Sequence, residues 1–365
     1  MKITKVEAVP LAIPFSYGGD AMNLGTGSSW KKLDFCLVRV ETDAGLTGWG
    51  EAFAYTCRSA TVAALTDMVA PIALGHDARD IAGLAAKIQK QLHIFGRFGI
   101  TAFALSGLDI ALWDLAGKAA GVPLHRLFGG ARREHVACYA SLLRYAKPQL
   151  VAKHAGQALG EGYSAIKLHE IADDAIAAAR KAIGPKTPLL LDVNCEWRLL
   201  DAIAAGKRLR PLELAWFEEP VFPPEDFRAL REVGDACGIP IAAGENLCFA
   251  SQFEAMLEAR AVQIAQPSVT KVGGVTEFLK VMALADARNV RIAPHSPYFG
   301  PGALATLHLI AASGQDAWFE YFWLQPEAKL YAGLLDPVKG MLEVPRAPGL
   351  GADPDPDVLR RYRAG

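Results

Sequence analysis

Over the first 55 residues apolar and polar positions alternate. Ile3, Val6, Val9 and Leu11 precede a loop, and Phe35-Cys36-Leu37-Val38-Arg39-Val40 then runs into the turn Asp43-Ala44-Gly45. This period predicts a small antiparallel sheet with hairpins. Residues 17–30, YGGDAMNLGTGSSW, show no periodicity and are expected to form a flexible surface loop. From about residue 60 to residue 120 the period becomes helical. Leu105, Leu108, Leu112 and Leu115 make one stripe, closed by Gly121-Val122-Pro123. Sheet and helices together are expected to form an α+β cap.

From 134 to 325 one pattern recurs, a short apolar strand followed by a helix-like segment, which calls for parallel strands with crossover helices. The strands are expected at His135 to Ala140, Ala165 to His169, Leu189 to Asn194, Leu214 to Glu218, Pro240 to Glu245, Val262 to Gln266, Arg291 to Pro294 and Ala317 to Glu320. Eight such units, roughly 22 to 30 residues apart, fit a closed barrel better than an open dinucleotide-binding sheet. The latter would also carry a G-x-G-x-x-G turn after its first strand, and none is present. The expected protein is therefore α/β: an α+β capping domain over 1–125, a modified TIM barrel of the (β/α)7β kind over 126–325, and a Pro- and Gly-rich segment over 326–365 that packs back on the cap.

At 365 residues the chain is too long for one ordinary compact core. Its 38 basic and 39 acidic side chains nearly cancel, so nothing in its charge calls for a nucleic-acid or anionic-membrane partner, and a small molecule is the expected ligand. The N-terminus lacks an apolar run with a small-residue cleavage site, and no run of about 18 apolar residues occurs, so the protein is expected to be soluble and cytoplasmic. The six cysteines are scattered and read as reduced structural thiols.

The chemistry is concentrated at the strand ends, which in such a barrel converge on one mouth. Asp192 ends Leu-Leu-Leu-Asp, Glu218 ends Trp-Phe-Glu and Glu245 ends Ala-Ala-Gly-Glu, at spacings of 26 (218 − 192) and 27 (245 − 218). Each spacing is about one strand-helix unit. Three hard oxygen ligands without His or Cys suit Mg2+. Lys167 and His169, two apart on the second strand, both point into the barrel. His295 ends the seventh strand on the far side of the mouth, so a base stands on each face of a bound substrate, as proton abstraction and return require. His76, His93, His125, His135, His154 and His308 read as ordinary satisfied polar groups.

These residues resemble the mandelate racemase group of the enolase superfamily over nearly the whole chain. The resemblance rests on Gly48-Trp49-Gly50-Glu51, Ala111-Leu112-Trp113-Asp114, Lys167-x-His169, Asp192-x-Asn194, Glu218-Glu219-Pro220, Gly244-Glu245-Asn246, Lys271-x-Gly273-Gly274, His295 and Glu320, in that order and spacing. It implies that Asp192, Glu218 and Glu245 bind Mg2+ and that Lys167 and His169 flank one face of the substrate. Glu320 helps hold the substrate carboxylate, and Asn194 and Glu219 support the metal ligands. Two departures stand out. His169 replaces the second Lys of the common Lys-x-Lys pair, and Ser268 stands where an Asp commonly partners the seventh-strand His.

The expected reaction is abstraction of the proton alpha to a carboxylate through an enediolate, with His169 as base, Lys167 as its helper and His295 protonating a departing β-hydroxyl. The net result is dehydration of a sugar acid or other hydroxy acid to a 2-keto acid. Racemisation or epimerisation and cycloisomerisation use the same groups and are the alternatives. A non-enzymatic binding protein is disfavoured by the intact carboxylate set. The far end of the substrate is expected to meet the 17–30 loop, Cys57 and Arg58; Ser268 and Lys271 are expected to contact the substrate, and Trp197 and Tyr298 to line the pocket. The resemblance further implies a homo-oligomer, a dimer or an octamer.

Overall fold

The N-terminal alternation becomes three antiparallel strands, β1 (Ile3–Ser16), β2 (Lys32–Thr42) and β3 (Thr47–Ala52), with the two residues Gln325–Pro326 paired to the far edge of β1. The structure is a computed structural model that describes residues 1–20, 22–23 and 29–364. Both faces of β2 are covered. Leu33, Phe35 and Leu37 join the core shared with the barrel, while Cys36, Val38 and Val40 join a second core under the helices. Its near-continuous apolar run follows from that double burial.

The second core is closed by α1 (Ile81–Leu92) and α2 (Ile100–Ala120). Helix α2 is long and apolar enough to cross a membrane, yet 78% of that stretch is buried inside the protein. Contact with β3 is close enough to demand glycine: a Cβ on Gly50 would lie 2.0 Å from the Gly107 carbonyl oxygen. The Gly48-Trp49-Gly50 motif is thus a helix-on-strand contact.

Eight parallel strands follow: β4 (His135–Leu142), β5 (Ala165–Leu168), β6 (Leu189–Asp192), β7 (Trp216–Glu218), β8 (Ile241–Ala243), β9 (Ile264–Ala265), β10 (Arg291–Ile292) and β11 (Phe319–Phe322). Seven helices alternate with them: α3 (Pro148–Gly160), α4 (Asp173–Ile183), α5 (Leu199–Leu209), α6 (Phe227–Cys237), α7 (Phe249–Glu258), α8 (Val275–Ala287) and α9 (Pro301–Ala312). Hydrogen bonding runs in sequence from β4 to β10, with β11 paired to β4. Among the described residues no ladder joins β10 and β11. That seam is stitched by side chains: Gln315 bonds the backbone of Val290 and Ile292, and Ser296 bonds both the side chain and the backbone of Glu320.

All eight expected strands are present, but several are shorter than the apolar runs that announced them. The chain leaves the ladder early because the mouth needs irregular backbone, seen as left-handed φ at Asn194, Cys195, Glu219 and Gly244. Inside the barrel, Tyr139, Ala165, Leu190, Trp216, Ala242, Ile264, Ala293 and Trp318 form one largely apolar layer. Two residues further along each strand lies the next inward position. Those residues are Ser141, Lys167, Asp192, Glu218, Gly244, Gln266, His295 and Glu320. The pleat alone therefore delivers most of the polar groups to one level of the mouth.

Cap and barrel are tied together by buried carboxylates at helix starts. Glu51 accepts from the Gly302 N–H in the first turn of α9 (2.8 Å), and Asp109 accepts from the Thr276 N–H in the first turn of α8 (3.0 Å). After β11 the chain returns along the cap: Leu350 N–H donates to Asp114, and Ala364 N–H donates to the Pro10 carbonyl. Burial pushes the Glu51 carboxyl up from 4.5 to about 8, only partly offset by the Gly302 N–H. A pKa raised on folding contributes stability that is full below the unfolded value of 4.5 and is lost as pH rises through 8. Glu51→Gln, which keeps the acceptor and cannot ionise, should flatten the fall in Tm between about pH 5 and pH 9 in thermal melts.

Candidate active site

Lys167 forms the floor of the mouth and is fully buried. Its Nζ lies 2.6 Å from Glu218 Oε1, 3.0 Å from Asp192 Oδ2 and 3.2 Å from Glu320 Oε1. Burial opposes the ammonium charge, but Asp192, Glu218 and Glu320 outweigh it and hold Lys167 well above its usual pKa. It is a fixed cation here, available to stabilise negative charge and not to take a proton.

The three expected metal ligands converge. One oxygen from each of Asp192, Glu218 and Glu245 lies within 4.8 Å of the others. That spread is close to the span of an octahedral shell with Mg–O distances of about 2.1 Å. The Glu218 oxygens are fixed from both sides, one by Lys167 and the other by the Trp216 indole N–H at 2.9 Å. Asp192 Oδ1 accepts the Asn194 N–H at 2.8 Å, and its Oδ2 is enclosed beside the Lys167 ammonium at 3.0 Å. Burial and the neighbouring charge of Asp192 push the Glu218 carboxyl well up. Glu219, held by the Asn246 amide at 2.9 Å, is pushed up to about 8 by burial and by Glu245. A buried cluster with this excess of carboxylates and all-oxygen donors fits a hard divalent cation.

Two imidazoles stand at opposite ends of that cluster. His169 Nε2 lies 3.4 Å from Asp192 Oδ2, and its Nδ1 lies 2.6 Å from the Leu142 carbonyl oxygen. A carbonyl only accepts, so Nδ1 carries the hydrogen and the neutral ring keeps its lone pair on Nε2, toward the cluster. The backbone oxygen of His169 accepts from Arg144 Nε at 2.6 Å, which anchors the residue just past the end of β5. His295 Nε2 lies 3.1 Å from Glu245 Oε2, and burial pushes this ring down to about 3.

Above this floor opens a cavity of about 960 Å3, bordered by His169, Asn194, Glu245, Lys271, His295 and Glu320. Lys271 Nζ sits 3.1 Å from Asn246 Oδ1, 3.6 Å from Glu245 Oε1 and 4.7 Å from the centre of the Phe53 ring. The outer wall is aromatic, built by Tyr17, Trp30, Phe53, Tyr55, Phe103 and Phe322.

Comparison with known proteins places the chain. The family model for the mandelate racemase/muconate lactonizing enzyme N-terminal domain matches residues 21–129, and that for the enolase C-terminal domain-like fold matches residues 150–358. The chain belongs to the enolase superfamily. It is 32% identical over 346 residues to D-galactarolactone cycloisomerase of Agrobacterium fabrum, covering 90% of each chain. It is 31% identical over 359 residues to D-gluconate dehydratase of Thermoproteus tenax, covering 93% of this chain and 71% of that one. The crystal structure of a racemase from Streptomyces coelicolor with bound magnesium superposes with a TM-score of 0.86 at 29% identity, covering 99% of this chain and all of the other. This protein is therefore an enzyme of that superfamily with a cap and an α/β barrel.

Several expected substrate contacts of this enolase-superfamily chain fall elsewhere. Arg58 turns away to pair with Asp34 on β2, and neither Arg58 nor Cys57 borders the cavity; Phe53, Tyr55 and Thr56 of that loop do. Ser268 and Tyr298 lie behind His295 and outside the cavity wall, and Trp197 packs on Phe217. Glu320 does border the cavity, but as a carboxylate: burial opposes its charge, yet Lys167 outweighs that and holds it below its usual pKa. Both its oxygens are engaged, by Ser141 Oγ at 2.8 Å and the Ser296 N–H at 2.9 Å. The 17–30 segment is no plain surface loop at its ends, since Tyr17 and Trp30 are buried and Tyr145 donates to the Tyr17 carbonyl at 2.8 Å. Residues 21 and 24–28 lie outside the described residues.

Trp216, Arg144 and Ser141 were not among the residues expected at the site, and Asn246 entered only as part of the Gly244-Glu245-Asn246 motif. Trp216 and Ser141 carry a readable signal, because each sits on the inward face at a period-2 position with a site residue in the same or the adjoining strand. Arg144 and Asn246 act from loops whose paths no local pattern announces.

Proposed function

We propose that this enzyme is a Mg2+-dependent sugar-acid dehydratase that removes the proton alpha to the carboxylate and expels the β-hydroxyl. The observation that carries this reading is the placing of His169 and His295 at opposite ends of one three-carboxylate cluster, above the buried Lys167 cation. Asp192, Glu218 and Glu245 would hold the ion. Bound there, Mg2+ supplies Lewis-acid stabilisation of charge developing on the substrate carboxylate.

The protein's own residues account for the proton movements. His169 Nε2 takes the α-proton, its ring held in the correct tautomer by the Leu142 carbonyl. Lys167 gives the carboxylate end a preorganised positive charge that needs no reorganisation as the reaction proceeds. His295, protonated from solvent in the substrate complex, gives its Nε2 proton to the departing β-hydroxyl, which leaves as water while the ring returns to the neutral form, and the enol product becomes the 2-keto acid. Solvent returns His169 and His295 to their starting protonation. Cycloisomerisation is the second reading, favoured by the likeness to D-galactarolactone cycloisomerase and by the aromatic outer wall, which suits the flat face of a lactone or anhydro ring.

The test is to incubate the protein with Mg2+ and a panel of aldonic acids, aldaric acids and their lactones, following keto-acid formation. Keto acid that appears with Mg2+ and vanishes in EDTA is the expected result. Lactone interconversion without keto acid would replace this reading by cycloisomerisation.

A further inference from the structure

The two ring nitrogens of His295 face different surroundings. Nε2 looks toward Glu245 on the cavity side, at 3.1 Å. Nδ1 lies 3.2 Å from the Tyr298 hydroxyl, which lies 2.5 Å from Ser268 Oγ. Ser268 Oγ is in turn 3.5 Å from Thr270 Oγ1. A row of uncharged hydroxyls therefore stands behind the ring, and the member that touches it is Tyr298. The Tyr298 hydroxyl pairs with Nδ1 in either state of the ring, donating to it when the ring is neutral with its hydrogen on Nε2 and accepting from it when the ring is protonated.

The phenol is itself held from several directions. Tyr298 is only 4% exposed and outside the cavity wall. Its ring packs against Phe53 and Tyr55 of the cap, with centroids 6.4 and 6.1 Å away, and the Tyr55 hydroxyl donates to the carbonyl of Pro297 beside it. The neighbouring Ser296 is bonded to Glu320 across the barrel seam. A ring pinned at Nδ1 by so constrained a donor has one orientation, with Nε2–H toward the cavity.

We propose that Tyr298 is the positioning residue of His295, holding the ring through Nδ1 so that Nε2–H faces the substrate, and that Ser268 acts on His295 only through the Tyr298 hydroxyl. This rests on the reading of His295 as the proton donor.

Tyr298→Phe keeps the packed ring and removes one hydroxyl. In the full-length Mg2+ enzyme, with the panel acid that turns over, this variant should lower kcat by about tenfold or more and leave KM nearly unchanged. Exchange of the α-proton in D2O should continue, because His169 is untouched. Ser268→Ala should cost activity in the wild-type background and nothing further in the Tyr298→Phe background. A kcat unchanged in Tyr298→Phe while His295→Gln reduces it, a raised KM with kcat intact, or a Ser268→Ala effect of equal size in both backgrounds would each overturn the proposal.

The 15N resonances of the His295 ring provide a check that needs no substrate. They should report Nε2–H with a bare Nδ1 in the wild type and mixed tautomers in Tyr298→Phe. Unchanged resonances would overturn the positioning role. Loss of the fixed tautomer together with an unaffected kcat in His295→Gln would uphold the positioning role and instead remove His295 from the proposed reaction.

Discussion

His169→Asn should lower kcat by about 10² to 10⁴-fold, the range expected when a positioned general base is lost, and should abolish α-proton exchange. The argument is geometric. His169 Nε2 is the ring nitrogen left with a lone pair once Nδ1 is committed to the Leu142 carbonyl, and it points at the cluster from the side of β5. Asparagine can still donate to Leu142 but cannot accept the proton. The metal ligands are otherwise held by Lys167, Trp216 and Asn194, so Mg2+ affinity should change by no more than about tenfold. Kinetics together with a Mg2+ titration separates the two effects. A comparable fall in kcat that follows lost metal affinity would assign His169 to the metal site instead.

Lys167→Met should be the other large effect, and it should appear in stability as well as in rate. Lys167 is the common counter-charge of Asp192, Glu218 and Glu320, all of them buried with it. Removing one partner of a buried ion pair typically costs about 3–5 kcal/mol because charge is left uncompensated. Part of that cost is avoided if the carboxyls protonate, so the loss should deepen as pH rises and they ionise. Added Mg2+ should restore part of the lost Tm, since a divalent cation supplies charge to Asp192 and Glu218, whereas catalysis should not recover. Thermal melts in EDTA and in Mg2+, beside kcat, read both effects. Equal Tm for variant and wild type in EDTA would contradict the electrostatic account of the floor.

Much of this site was legible because the barrel converts period into place. The runs ending in Asp192, Glu218 and Lys167 each put a polar residue two positions beyond an apolar inward one, and the pleat brings those positions to one level. Glu245 reaches the same cluster by another route. Its strand ends at Ala243, and Gly244 adopts a φ of +131° against the Phe253 ring, where a Cβ would lie 2.8 Å away, before Glu245 enters. The spacing of carboxylates hid that difference.

What could not be read were contacts made through space by side chains from separate elements. Arg58 is a polar loop residue near the mouth by sequence, and only the fold reveals Asp34 of β2 within its reach. Ser268 occupies the position from which a longer acidic side chain could meet His295, but serine is short and Tyr298 fills the gap. The ends of the 17–30 segment looked like solvated loop because Gly and Ser dominate its composition. Yet Trp30 packs edge-on against Phe15, at 4.9 Å between centroids, and forms part of the cavity wall. Single aromatic residues at a loop's ends decide burial there, and no period marks them.

The most direct test of the central claim is deuterium incorporation at the α-carbon of a sugar acid in D2O, followed by proton NMR with Mg2+ present and with EDTA. Exchange or keto-acid formation that requires Mg2+, and that His169→Asn abolishes, is the expected result. Turnover that persists undiminished in EDTA, or exchange that survives in His169→Asn, would contradict a metal-assisted abstraction by His169.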